Sequence, residues 1–230
     1  MTSESGPKLL PQAVRLGLYG GSFDPVHTGH LAVAERARQA FDLTQVWFLP
    51  ASVPPHKLDK RLAGGRDRVC MLELALADLA WAKVEPMELG REGPSYTFDT
   101  AEQVIQSLPE GSTVFLILGG DNLPGLPHWH RGQELLELVQ PIVLRRQGDG
   151  RDPVDDLQTA LPGTLLDKLR RGYLDLPPAP GCASDIREGL AAGRSGEGLH
   201  LPHGVENYIS RRGLYGTGTG TSTNETGASL

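Results

Sequence analysis

A doubly wound α/β fold, with a mostly parallel sheet and helices on both faces, is what this sequence of 230 residues predicts. Three observations predict it. Short apolar runs alternate with segments of helical spacing along most of the chain, the rhythm of successive βαβ units. The run "TVFLILGG" (113–120) is continuously apolar, as in a strand that a parallel sheet buries on both faces. Several strand ends are marked by glycine or proline, where such sheets turn towards their ligands.

In chain order, "VRLGLYG" (14–20) is an apolar run ending in glycines and reads as a buried strand. "HLAVAERARQAF" (30–41) repeats apolar residues at Leu31, Ala34, Ala37 and Phe41 and reads as a helix. "QVWFLPAS" (45–52) is a second strand, stopped by Pro50, and "RDRVCMLELALADL" (66–79) a second helix. "AKVEPMEL" (82–89) is a weak strand, and "TFDTAEQVIQSL" (97–108) a helix ended by Pro109. After the strand at 113–120 come a helix, "GQELLELV", and a strand, "PIVLRR". "TLLDKLRRG" is a helix and "YLDLP" a short strand. "SDIREGLAAG" and "HGVENYISRRG" are closing helices. The polar stretch from Gln147 to Gly163 reads as a long loop without an assigned role.

The length suits one domain with tails. Residues 1–12 read as a flexible extension, 13–216 as the folded domain, and 217–230, rich in Gly, Thr and Ser, as a disordered tail. The formal net charge of −6 argues against a general nucleic-acid binder. It leaves room for an anionic ligand held locally by a few cations and backbone N–H groups. Cys70 and Cys182 form no CxxC pair, so free thiols in a reducing compartment are expected. No apolar stretch reaches the length of a membrane span, and the N-terminus lacks the pattern of a secretory signal; a cytoplasmic location is the expectation. Oligomeric state is not legible.

The chemistry begins at "GLYGGSFDPVHTGH" (17–30). Gly20 and Gly21 let the backbone turn sharply off the first strand and approach a ligand closely. Phe23 plugs the turn, Asp24-Pro25 fixes it, and Thr28 is placed to cap the helix carrying His30. Helix N-termini favour phosphate. His27 and His30, at i and i+3, share a face and can donate to the same phosphoryl oxygens. Alone, the segment supports phosphate binding with a zinc pair as competitor, although no third ligand at metal spacing accompanies it.

Further segments follow other strands. "PASVPPHK" (50–57) is a stiff loop presenting Lys57, or a proline-rich loop with a solvated lysine. "PSYTFDT" (94–100) leads into a helix, with Thr97 as N-cap or ligand contact. In "LGGDNLPGLPHWH" (118–130), Asp121 sits at a strand end where ribose hydroxyls can be bound. Trp129 is either core or a stacking surface for a flat ring, and His128 and His130 are expected to face solvent.

Together and in order, these segments resemble the bacterial nicotinate-nucleotide adenylyltransferase family of the HxGH nucleotidylyltransferase superfamily. "CASDIR" (182–187) and "LPHGVENYISRRGLY" (201–215) complete the pattern, which runs from about residue 14 to 215. One departure is Ala183, where the family commonly has Ser; Ser184 and Arg187 remain. The resemblance implies a Rossmann-like fold and adenylyl transfer from ATP to nicotinate mononucleotide, giving nicotinate adenine dinucleotide and pyrophosphate in NAD biosynthesis. It implies His27, His30, Lys57 and Arg187 as the catalytic set. Gly20, Gly21, Ser22, Phe23, Asp121, Ser184 and Arg187 join the histidines around ATP. Lys57, Tyr96, Thr97 and Trp129 hold the mononucleotide. Mg²⁺ is expected on the ATP phosphates, with no metal site in the protein. The alternatives are a preference for nicotinamide mononucleotide or another phosphate acceptor, and a non-catalytic nucleotide-binding regulator.

Overall fold

The computed structural model describes residues 12–52, 62–146, 152–177 and 182–217. Six parallel strands form one sheet in the order β3-β2-β1-β4-β5-β6. They are β1 (Arg15–Gly21), β2 (Gln45–Pro50), β3 (Ala82–Val84), β4 (Thr113–Gly119), β5 (Gln140–Arg146) and β6 (Tyr173–Leu176). The helices are α1 (Thr28–Ala40), α2 (Gly65–Leu76), α3 (Thr97–Ser107), α4 (Gly132–Leu138), α5 (Gly163–Arg171), α6 (Ala183–Ala191) and α7 (Val205–Arg212). Every strand and helix expected from periodicity is present, and the doubly wound fold is as predicted.

The period-2 alternation of the central strands divides the core in two. Leu16 and Leu18 of β1 and Val114, Leu116 and Leu118 of β4 meet Phe98, Val104, Leu135 and Leu169 from α3, α4 and α5. Their neighbours Tyr19, Phe115 and Ile117 face the other way, onto Ala34, Met71, Ile186 and Ile209 from α1, α2, α6 and α7. Strand order reverses between β1 and β4, and a crevice opens beyond their carboxyl ends, where doubly wound sheets bind ligands.

After β4, beyond the elements expected, a 3-10 helix runs over Gly120–His128, burying Leu123 and Leu126 while its prolines prevent an α-helix. Two expectations change. The polar stretch ending at Gly163 is structurally engaged within its described part. Val154, Leu157 and Leu161 enter the core, and Asp152 accepts from Arg170 and Tyr173. Thr217, expected to open the tail, donates its hydroxyl to the carbonyls of Ile209 and Leu214. The remaining tail residues lie outside the described segments.

Candidate active site

A cleft of about 1330 Å³ opens at the switch point. The carboxyl ends of β1, β2, β4, β5 and β6 form its floor, through Gly20–Ser22, Ala51 and Ser52, Gly119–Asn122, Arg145 and Asp175. His30 and the segment Ser95–Thr97 wall it on two sides. Gly20, Gly21, Ser22, His30, Tyr96, Thr97, Asp121 and Trp129 therefore share one cavity. Phe23, His27, Ser184 and Arg187 are not among the lining residues, although the rings of Phe23 and His27 pack against His30, and Lys57 lies outside the described residues.

The turn after β1 is built around Phe23. Its backbone takes a positive φ of 46°, which folds the ring back beneath Gly21, where a Cβ would lie 3.1 Å from it. Phe23 is 1% exposed and meets the edge of the His30 ring at 5.0 Å. It organises the turn from below and can reach a nucleotide only through its backbone.

The N-cap of α1 is His27, not Thr28. His27 is extended and Thr28 is the first helical residue, its N–H satisfied by the His200 carbonyl at 2.8 Å. The His27 and His30 ring centroids are 3.8 Å apart. Gly29 permits this, since a Cβ there would lie 2.9 Å from His27 Nδ1. The His27 backbone N–H donates to His30 Nδ1 at 3.2 Å. A neutral imidazole with Nδ1 as acceptor carries its proton on Nε2, so His30 offers one N–H donor. His27 Nδ1 is buried and finds no partner among the described residues.

Burial, and then the neighbouring His200, push His27 down to about 4 from its ordinary 6.5. Burial and His27 push His30 down to about 3. Both are neutral donors at neutral pH. A histidine depressed on folding gives stability that is full above the unfolded value near 6.5 and lost as pH falls towards the folded value. For His30 the loss between pH 7 and pH 5 is about 2 kcal/mol. His30→Asn should therefore lose about 2 kcal/mol less than the native chain over that interval. Urea unfolding at the two pH values checks it; equal losses in both proteins would refute the linkage.

Ser184 and Arg187 come from the first turns of α6. Arg187 Nη1 donates to the Asp24 carbonyl at 2.6 Å and Nη2 to Ser184 Oγ at 3.2 Å, which ties this helix to the turn after β1. Asp121 lies in the first turn of the 3-10 helix; a Cβ at Gly119 would come within 2.2 Å of its exposed carboxylate, which would have to turn aside.

On the other wall, Tyr96 is the N-cap of α3 and Thr97 its first residue, so the helix begins one position earlier than a Thr97 cap would give. The Tyr96 ring stacks on His130 at 4.3 Å. His128 and His130 are exposed as expected, but both also line the cleft. Trp129 is half-buried, packed on the core and open to the cleft.

Sequence reasoning missed the brace of this wall. Glu88 lines the cleft and accepts from the Thr100 hydroxyl at 3.0 Å. Arg91 donates to the same hydroxyl and to Gln103, while Ser95 Oγ donates to the Glu88 carbonyl. Burial pushes the Glu88 carboxyl up. Nothing in the spacing of these residues marks them, because they meet only when the strand-to-helix connection folds back.

Among the described residues, no helix is long and apolar enough to cross a membrane. Cys70 and Cys182 are free thiols.

Residues 18–188 match the family described as cytidylyltransferase-like. A Dehalococcoides mccartyi protein named "Probable nicotinate-nucleotide adenylyltransferase" is 36% identical over 88% of this chain and 98% of its own. A Geobacillus kaustophilus protein of the same name is 39% identical over 93% of this chain and 92% of its own. In fold, the chain is similar to Plasmodium falciparum nicotinic acid mononucleotide adenylyltransferase complexed with NaAD. The TM-score is 0.64 at 17% identity, over 89% of this chain and 98% of that one. With a switch-point cleft, an HxGH turn and similarity extending over nearly the whole folded domain, this chain belongs to the nicotinate-nucleotide adenylyltransferase family, within the cytidylyltransferase-like group.

Proposed function

We propose that the cleft transfers the adenylyl group of ATP to the 5′-phosphate of nicotinate mononucleotide, releasing pyrophosphate, as a cytoplasmic step of NAD biosynthesis. One observation carries the division of labour. A single cavity has the glycine turn and His30 on one side and the N-terminus of α3 on the other, with room for two nucleotides.

The attacking group needs no base. A phosphate monoester has its second pKa near ~6 and is largely dianionic at neutral pH. The barrier lies in bringing two anions together in line, so positioning and charge neutralisation are what the protein supplies. In this reading Gly20, Gly21, Ser22 and Phe23 approach ATP through their backbone. The Nε2–H of His30 donates to the phosphoryl group in transfer, and His27 donates beside it. Ser184 and Arg187 hold the outer phosphates, the guanidinium taking two oxygens at once. Asp121 accepts from ribose hydroxyls on the adenine side. Lys57 neutralises the mononucleotide phosphate, and Trp129 stacks on the pyridine ring. Bound Mg²⁺ supplies charge neutralisation between phosphate oxygens. In this reading it would be held through phosphate oxygens and water; among the described residues there is no group of three His, Cys, Asp or Glu that could hold a metal ion.

Tyr96 and Thr97 at the start of α3 favour the pyridine carboxylate, because first-turn N–H groups and the helix dipole attract an anion. The Glu88 carboxyl in the same cleft favours an amide, but its Oε1 is occupied by the Thr100 hydroxyl. Charge-assisted recognition is worth about 1.5–3 kcal/mol, so kcat/KM for the acid should exceed that for the amide by about 10- to 100-fold. Pyrophosphate release from ATP with each mononucleotide in parallel measures this. A preference for the amide would move the recognition role from α3 to Glu88, and no release with either would favour a nucleotide-binding regulator.

A further inference from the structure

A buried cation behind the cleft touches the walls of both proposed substrate sites. Arg68 of α2 is 2% exposed. Its guanidinium faces no carboxylate at ion-pair distance among the described contacts and donates instead to four main-chain carbonyls. Nε reaches Ala63 at 3.1 Å, Nη1 reaches Ser22 at 2.9 Å and Ala51 at 2.8 Å, and Nη2 reaches Ser52 at 3.2 Å. Ser22 ends the glycine turn after β1, and Ala51 and Ser52 directly follow β2, a few positions before Lys57 in the sequence. All three line the cleft.

Asp24, 1% exposed and two residues beyond Ser22, is the second node. Its Oδ1 accepts from the Ala63 N–H at 3.0 Å and from the Tyr215 hydroxyl at 2.6 Å, while its carbonyl accepts from Arg187. Arg68 and Asp24 also interact electrostatically. Tyr215 belongs to the last described 3-10 turn and holds a positive φ of 56°, an unfavourable conformation for a side chain of this size. Phe23, Tyr215 and His200 all have positive φ and all bear on the entrance to α1. Three of the five non-glycine residues with positive φ among the described residues thus lie around this turn, and Asp24 accepts a hydrogen bond from one of them, Tyr215.

We infer that Arg68 and Tyr215 are positioning residues for adenylyl transfer: Arg68 sets the spacing of the two loops that flank the cleft, and Tyr215 locks the ATP-side turn through Asp24. The inference rests on the proposed reaction. It predicts an asymmetry. Arg68 touches both loops, so its loss affects both substrates. The Tyr215 hydroxyl donates to Asp24 of the ATP-side turn and touches neither Ala51 nor Ser52 by a hydrogen bond, so its loss falls on ATP before the mononucleotide. A lysine cannot replace Arg68, since an ammonium has no planar fork to serve carbonyls on separate segments.

Arg68→Lys and Tyr215→Phe in the full chain test it, with kcat and both KM values from pyrophosphate release and folding followed by urea unfolding. Loss of a hydrogen bond to a charged group predicts a rise of about 10-fold in the KM for ATP of Tyr215→Phe, with a fall in kcat and an unchanged mononucleotide KM. Arg68→Lys should raise both KM values. Variants that are less stable yet keep native KM and kcat would overturn the inference, as would a Tyr215→Phe effect equal on both substrates. If Arg68→Lys does not fold, Tyr215→Phe, which keeps the ring, decides alone. A native chain that releases no pyrophosphate defeats the proposed reaction separately. ATP affinity by calorimetry then decides: weaker binding by Tyr215→Phe supports the lock, and equal binding refutes it.

Discussion

His30→Ala should turn over ATP and nicotinate mononucleotide about 100- to 1000-fold more slowly than the native chain, with a much smaller change in ATP affinity. The asymmetry follows from what His30 offers. Its ring is half-buried against Phe23 at the edge of the cleft, neutral at working pH, and held with Nδ1 accepting the His27 N–H, which leaves Nε2–H as its donor. A neutral donor contributes modestly to holding a triphosphate that, in the proposed reaction, backbone N–H groups and Arg187 also bind. It contributes more when negative charge builds on the transferring phosphoryl oxygens, because the site need not reorganise to meet that charge. His30→Gln, which keeps a side-chain N–H, should recover part of the loss. Initial rates of pyrophosphate release, with ATP binding by calorimetry, separate the two effects. Native turnover in His30→Ala would remove His30 from the mechanism.

Asp24→Ala should destabilise the fold by about 3 kcal/mol or more. The carboxylate is 1% exposed and serves the Ala63 N–H and the Tyr215 hydroxyl while standing near the Arg68 cation. Truncation leaves both donors short of an acceptor and takes a counter-charge from a guanidinium that remains buried. Asp24→Asn keeps an acceptor and should cost less. Urea unfolding at pH 7 measures both, and a native midpoint for Asp24→Ala would mean that water replaces the carboxylate at no cost. The result bears on function as well, because Asp24 joins the glycine turn, the approach to α2, α6 and the closing turn.

Most of the fold was legible in the sequence, since periodicity is a local property and each strand or helix declares its own buried face. The continuous run at Thr113–Gly119 marked a strand covered on both sides, and it lies at the centre of the sheet. Local signals were less sure at boundaries. His27 and Tyr96, not Thr28 and Thr97, are the helix caps, since where a helix begins depends on what accepts its first N–H groups. One signal went unread. Arg68 falls in phase with Met71, Leu72 and Leu76 on the buried stripe of α2, and a charge on such a stripe marks either a buried network or a site.

The sequence by itself determined the alternation of elements, the family, and the short segments that supply groups to the cleft, because each is written in contiguous residues. Tertiary structure alone decided how those segments meet. It decided that Phe23 is a prop beneath the turn, that His27 and His30 are neutral, that Glu88 braces α3, and that Tyr215 reaches Asp24 across 191 positions. Burial and hydrogen-bond partners are set by residues distant in the chain, so the charge state of a histidine and the neighbours of an arginine exist only once the sheet has closed over them.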